Sequence, residues 1–289
     1  MPGYLPPYKT FCARFEKPIV QEDDKDALRR LNQLTGPFIL RRMKSEVLKE
    51  LPPKTENLHR IELDEQQRKL YLAAVVDARE KLRAAKPEDK MAVFAVLMRL
   101  REICCDPRLV ADNWDGGSAK LDACMELVTA AVEGGHRILL FSQFTSMLEL
   151  LAKRLDEAGV SHFTLQGSTP KPVRAEQVRR FNQGEADVFL ISLRAGGTGL
   201  NLTAADIVIH YDPWWNLAAQ NQATDRAYRI GQRNPVQVYR LIAQDTIEEK
   251  IVELQQAKQS LADTVTGGAD GAILSMNPEQ LLQLLGEEA

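Results

Sequence analysis

From residue 136 to residue 262 the sequence alternates short apolar, β-rich runs with helix-length stretches, and this alternation restricts the fold more than any other feature. The runs are ILLF (138–141), SHFTL (161–165), VFLI (188–191), IVIHY (207–211) and VQVYRLI (236–242). Helical patterns follow them over 145–158, 172–182, 216–229 and 246–262, with a glycine loop instead after VFLI. Strand, helix, strand at this spacing means parallel strands joined by crossovers. The expected fold is therefore α/β, a parallel sheet with helices on both faces.

The first 135 residues read differently, as mostly α-helical. Apolar residues at 27, 28, 31 and 34 mark one helix, which Gly36-Pro37 breaks. A second pattern runs from Phe38 to Leu51 and stops at Pro52-Pro53. Asp64, with Gln67 three residues on, is placed to cap a helix to about Ala85. Further helices are expected over Lys90–Cys105 and from a Ser118 cap to about Val132. VTGGADGA (265–272) reads as a flexible linker, and PEQLLQLLG as a short terminal helix. The opening MPGYLPPYKTF reads as a cut inside a longer chain and not as a signal peptide.

Charge excludes one class of nucleic-acid binder. A net charge of −3 is unlike a bulk electrostatic, histone-like protein, although local phosphate contacts stay compatible with it. No apolar run reaches membrane-spanning length. The four cysteines (12, 104, 105, 124) and four histidines (59, 136, 162, 210) form neither a CxxC pair nor an HExxH box, so no metal site is expected. Neighbours Cys104 and Cys105 read as small buried apolar residues, and a reducing cytoplasm is the expected location.

Ligands in open α/β sheets collect at the carboxyl ends of strands, and three segments there carry chemistry. SLRAGGTGLN (192–201) packs Gly196, Gly197 and Gly199 into four positions, which lets backbone N–H groups approach an anion. A tight turn without a ligand explains the same glycines. It is not a P-loop, since GxxxxGK[ST] is absent from the chain. In QNQATDRAYRIGQ (220–232), Arg226 and Arg229 stand three apart; on a helix ended by Gly231 they project from one face and suit a phosphoryl group. A solvated face, pairing with Asp225, is the bland alternative. In HYDPWWN (210–216), Trp214 and Trp215 either close the core or stack on nucleic acid, and His210 reads as a packed residue.

The order of these segments resembles the second motor lobe of the Swi/Snf family in helicase superfamily two. PFILRRMKSEVLKELPPKTE (37–56) resembles the family's inter-lobe segment. LREICCDPRLV (100–110) and GSAKLDACMELV (117–128) are similar to the signature and helix that follow it. HRILLFSQFTSMLELL (136–151) resembles motif IV, and LQGSTPKPVRAEQVRRFN (165–182) the DNA-facing motif. VFLISLRAGGTGLNLTAADIVIHYDPWWN (188–216) resembles motif V with its extension, and QATDRAYRIGQ (222–232) motif VI. The matches run from about residue 35 to 262, with wording that leans toward bacterial members.

The resemblance implies a RecA-like lobe of an ATP-dependent, double-stranded DNA translocase, with ATP and Mg2+ held mainly by an N-terminal lobe. The implied division is 1–56 for the end of the first lobe and linker helices, 57–116 for a helical insertion, 117–264 for the motor lobe and 265–289 for linker and terminal helix. Arg226 and Arg229 would be arginine fingers; Gly199, Asn201 and Gln222 would face the nucleotide. Gly167, Ser168, Thr169, Arg194, Gly196, Gly197 and Trp215 would meet DNA, and Gln143 lies in motif IV with a less defined role. Four positions depart from the family wording: Gln166, Leu193, Leu217 and Tyr228. The resemblance implies partnership with the N-terminal lobe and with RNA polymerase or another DNA-bound protein, a nucleoid-associated cytoplasmic location, and no ATPase activity of this chain alone. A DEAD-box-like RNA helicase lobe and a non-catalytic α/β interaction module are the rival readings; YRIGQRNP in place of HRIGRTGR counts against the first.

Overall fold

Six strands line up in one sheet, and every pairing is parallel. They are β1 (Lys54–Ile61), β2 (Ile138–Ser142), β3 (His162–Leu165), β4 (Val188–Ser192), β5 (Ile207–His210) and β6 (Val236–Ala243), in the spatial order β1-β6-β5-β2-β4-β3. The computed structural model describes residues 4–21, 24–38, 51–86, 89–193, 195, 199–262 and 276–286. Within these the chain forms two compact units. The larger is built on Leu51–Ala262 and holds the sheet; the smaller is built on the first fifty residues.

The strands are apolar throughout because both faces are covered. Ile138 and Leu140 of β2, Val188 and Leu190 of β4, and Ile207 and Ile209 of β5 face one side, with Leu121, Cys124 and Val128 of the Ala119–Glu133 helix and Leu148, Leu151 and Leu155 of the Thr145–Glu157 helix. Leu139, Phe141, Phe189, Ile191 and Val208 point the other way, toward Phe181 of the Lys171–Asn182 helix and Ala223 of the Leu217–Thr224 helix. Alternate residues leaving opposite sides of a strand produce this split, and two covered faces explain the unbroken apolar runs. A third core joins the Glu65–Ala84 and Lys90–Cys105 helices to Ile247 and Ile251 of the Ile247–Ala262 helix and Leu281 of the Pro278–Leu284 helix.

Local signals place the helix starts well. Asp24 accepts from the Asp26 and Ala27 amides ahead of Lys25–Thr35, and Asp64 accepts from the Gln67 amide at 2.8 Å. Ser118 differs from expectation: its hydroxyl donates to the Cys105 carbonyl at 3.2 Å and makes no cap bond. The helix pattern at 38–51 and the linker at 265–272 fall on residues that are for the most part outside those described.

Two expectations need correction. Residues 54–61, within a stretch read as helical, are strand β1, hydrogen-bonded along its length to β6. Seven of its eight residues are not buried, so β1 owes its place to backbone pairing and carries no apolar signal. The expected domain boundary at residue 56 thus falls inside a strand. The helical pattern at 216–229 stops early, at Thr224.

Candidate functional site: the loops at the carboxyl ends of the strands

The chain leaves β2 toward β3 at one edge, returns to β4 beside β2, then crosses to β5 on the other side of β2. The strand order reverses here, which is where open α/β sheets leave a crevice at their carboxyl ends. The Leu193 amide donates to the Ser142 carbonyl at 3.0 Å, laying the loop after β4 over the end of β2.

Beyond Thr224 the chain tightens into turns. The amides of Arg226 and Ala227 donate to Ala223 and Thr224, and that of Arg229 to Ala227, so bonds of shorter span take over, with one helical bond left from the Tyr228 amide to Thr224. The Arg226 carbonyl is taken by the Leu202 amide at 3.0 Å, a bond to the glycine-loop segment that a continuing helix would forbid. Arg226 and Arg229 therefore do not share a helix face. Arg226 is 6 % exposed, whereas Arg229 lies at the surface. Burial, and then the neighbouring Arg229 charge, lower the affinity of the Arg226 guanidinium for its proton, with Asp225 opposing. Its Nε and Nη2 find no hydrogen-bond acceptor among the described residues. Buried donors without partners are costly, and an anionic oxygen arriving from outside would satisfy them.

Gln232 holds this turn to the loop after β4. Its Nε2 donates to the carbonyls of Ala205 (2.7 Å) and Ala227 (3.2 Å), and its Oε1 accepts from the Arg233 and Asn234 amides. Gly231, at φ +102°, supplies the left-handed residue that lets the chain double back. From the other side Asn182 donates to the Asn201 carbonyl at 2.8 Å and accepts from the Ala204 amide. Leu200 and Leu202 anchor the loop in the core while Gly199 and Asn201 stay exposed. Gly199 has φ +37° and open space where a Cβ would stand. Gln222 is exposed on the Leu217–Thr224 helix, which Asn216 caps through the Ala219 amide. Arg194, Gly196 and Gly197 lie outside the described residues.

At the end of β3, Gly167 and Ser168 are exposed, and Thr169 closes the turn: its hydroxyl oxygen accepts from the Gln166 amide and its amide donates to the Gln166 carbonyl. Trp215 is half-buried, with its ring centroid 4.2 Å from the Arg101 guanidinium carbon, and it packs against the helical core. Packing is thus the part of its expected role that the geometry carries. Gln143 donates through its amide to Asp212 at 3.2 Å and through its side chain toward Met98 Sδ. His210 is buried, stacked on Phe141 and bonded to the Thr224 hydroxyl at 2.9 Å. Burial lowers its pKa to about 3, so it is neutral, as a packed residue should be. Cys104 and Cys105 are likewise buried, and desolvation pushes both thiols up.

Arg101, Asp212, Gln232 and Asn182 are the site's structural polar residues that sequence reasoning passed over. Among the described residues no group of three His, Cys, Asp or Glu side chains gathers as metal ligands. No helix among them is long and apolar enough to cross a membrane.

Two family models match this chain: the SNF2-related domain over residues 1–109 and the helicase conserved C-terminal domain over residues 119–231. The chain belongs to the SNF2 family. It is 38% identical over 288 residues to an uncharacterized ATP-dependent helicase of Mycoplasma pneumoniae, covering 98% of this chain and 27% of that protein. It is 38% identical over 291 residues to the putative ATP-dependent helicase/translocase YwqA of Bacillus subtilis, covering 98% of this chain and 32% of that protein. The chain thus spans a quarter to a third of these SNF2 relatives. Among solved structures, the Sulfolobus solfataricus SWI2/SNF2 ATPase core in complex with dsDNA superimposes with a TM-score of 0.69 at 30% identity, over 100% of this chain and 62% of that one. The sheet described above is accordingly the RecA-like architecture of the SNF2 ATPase core.

Proposed function

We propose that this chain is the C-terminal lobe of an ATP-driven motor that tracks along double-stranded DNA, and that it completes an ATP site whose phosphate cradle lies on another lobe. The observation that carries this is the arginine turn: Arg226 has buried donors without an acceptor among the described residues, while the turn itself is bolted by Leu202 and Gln232 to the loop after β4. The absence of GxxxxGK[ST] from the sequence makes a self-sufficient ATP site an unsuitable reading.

In this mechanism Arg226 and Arg229 present fixed positive charge to the γ-phosphate when the two lobes close, and Gly199, Asn201 and Gln222 lie against the nucleotide. Mg2+, bound with ATP on the other lobe, would neutralise charge on the phosphate oxygens. The Gly167–Thr169 turn, the glycine loop at 194–197 and Trp215 contact one DNA strand, so that closure shifts these contacts along it and reopening resets them. Contacts to phosphate are indifferent to sequence and weaken with salt. What the motor displaces, RNA polymerase or another DNA-bound protein, lies beyond the chemistry of this lobe. The relatives' names as ATP-dependent helicases and the dsDNA-bound structural neighbour support the reading. We place the working lobe at residues 51–262, with the Glu65–Ala84 and Lys90–Cys105 helices built into it.

The test uses the complete ATPase that contains this chain. Arg229→Ala and Arg226→Ala should each cut DNA-stimulated hydrolysis by about 10³-fold or more while DNA binding persists. The 289-residue chain alone should hydrolyse no ATP. Hydrolysis by the isolated chain, or an Arg229→Ala enzyme with unchanged turnover, overturns the proposal; stimulation by RNA and not by duplex DNA would favour an RNA helicase instead.

A further inference from the structure

Arg101 is the largest fully enclosed side chain among the described residues. It sits on the Lys90–Cys105 helix, four residues after Leu97 and three before Cys104, both buried, so the helix period turns it inward. Its Nη2 donates to Asp212 Oδ2 at 3.2 Å and to the Pro213 carbonyl at 2.5 Å. The guanidinium carbon lies 4.2 Å from the Trp215 ring centroid and 5.5 Å from that of Phe144. The other oxygen of Asp212 accepts from the Ser142 hydroxyl at 2.6 Å and the Gln143 amide at 3.2 Å. One ion pair thus reaches three elements: a helix before the sheet crossings, the loop after β2 and the loop after β5.

Stability alone is a poor account of such a pair. Taking both charges out of water is costly, and apolar side chains of equal volume often hold a core as well or better. Apolar packing does not fix direction in the way a planar fork does. Arg101 donates to two successive residues of one loop and sits over the Trp215 ring, so it ties the path of the loop to the position of the ring. Among the described residues its Nε and Nη1 meet no acceptor, so its hydrogen bonds all go to this one loop.

We propose that Arg101 is a positioning residue that aligns the Asp212–Trp215 loop with the loop after β2, so that the proposed DNA contacts and the arginine turn beyond the next helix move as one body. This rests on the functional reading above, in which the Trp215 loop meets DNA. Arg101 itself touches neither DNA nor nucleotide.

Replacing only Arg101 by an apolar residue would strand a buried carboxylate, so the decisive variant in the complete ATPase is Arg101→Met with Asp212→Asn. The expected result is a cooperative melt like the parent's, an ATP KM within about twofold, and at least a tenfold or so rise in the duplex DNA concentration giving half-maximal stimulation. In the 289-residue chain with Trp114→Phe and Trp214→Phe, which leaves Trp215 as its one tryptophan, the emission should also shift to the red and the ring become more open to acrylamide. Arg101→Lys, which keeps the charge and loses the plane, should fold and still show the Trp215 shift and weaker DNA stimulation. Unchanged DNA half-saturation and Trp215 emission in a folded double variant, or full DNA coupling in Arg101→Lys, would show that the pair only packs. If the unmodified ATPase is not stimulated by duplex DNA, the functional reading fails; the fluorescence measurement needs no DNA and still decides whether Arg101 positions Trp215.

Discussion

Substituting Gln232 tests how the arginine turn is held. Its side chain makes four hydrogen bonds to backbone, and these are not equal. Arg233 and Asn234 are exposed, so their amides can turn to water when Gln232 is lost, at little net cost. Ala205 and Ala227 are buried, and their carbonyls cannot. Ala227 keeps the Arg229 amide as a second donor, which leaves Ala205 to bear most of the penalty. With about 1–3 kcal/mol for a stranded buried acceptor, and little from the amides that turn to water, Gln232→Met should destabilise the chain by about 1–3 kcal/mol. Gln232→Glu keeps the acceptor half and loses the donor half, placing a carboxylate against two carbonyls, and should cost at least as much. Urea melts of the 289-residue chain give the stability, and ATP turnover of the complete enzyme gives the consequence for the turn. A loss under about 0.5 kcal/mol for both variants would mean that Gln232 does not hold the turn, and the account of Arg226 placement would fail with it.

Two further outcomes follow from buried groups. His210 titrates at about 3 when folded and near 6.5 when unfolded, so below the latter the unfolded chain takes up the proton first. Its contribution is complete above about pH 6.5 and is lost as pH falls toward 3; His210→Gln should flatten this acid limb, by about 2 kcal/mol between pH 7 and 5 in denaturant melts, and an unaltered limb would refute it. Lys120 and Glu248 are fully buried and paired; burial is the largest influence on Lys120 and opposes its charge, but Glu248 and the neighbouring Cys105 and Cys104 together hold the ammonium protonated. Lys120→Met should therefore cost about 3–5 kcal/mol, and adding Glu248→Gln should recover much of that; equal losses in the single and double variants would contradict the pairing argument.

The legibility of this fold follows from which interactions are local. Strands β2, β4 and β5 were readable because their residues are buried on both faces and the apolar runs are unbroken. β1 was not, since KTENLHRI is an exposed edge strand whose only strong commitment is its backbone pairing to β6, almost two hundred residues away. An edge strand rich in charge is the usual defence against unwanted pairing, and it erases the pattern that marks a strand. The arginine turn failed for the opposite reason. Locally DRAYRIG reads as the last turn of a helix, and the bonds that unwind it come from Leu202 and Gln232. The candidate site was legible as a set of segments and illegible as geometry: the spacing of Arg226 and Arg229 was visible, while the burial of one and exposure of the other was not.

Arg101 shows where a closer reading of the sequence could have gone further. Buried positions at 93, 96, 97, 100, 103 and 104 define the inner stripe of its helix, and position 101 lies within that stripe. An arginine on such a stripe has either to snorkel to the surface or to meet a carboxylate inside. Among the acids just past the strands, Asp212 is the one next to two tryptophans able to face a guanidinium. That pairing was open to inference before any coordinates. The polar side chains around the loops now have a common account. Arg101, Asp212, Asn182 and Gln232 each hold a loop at the carboxyl ends of the strands by bonds with direction, which leucine or valine in the same places could not supply. The sheet would stand without them; the loops would lose their alignment.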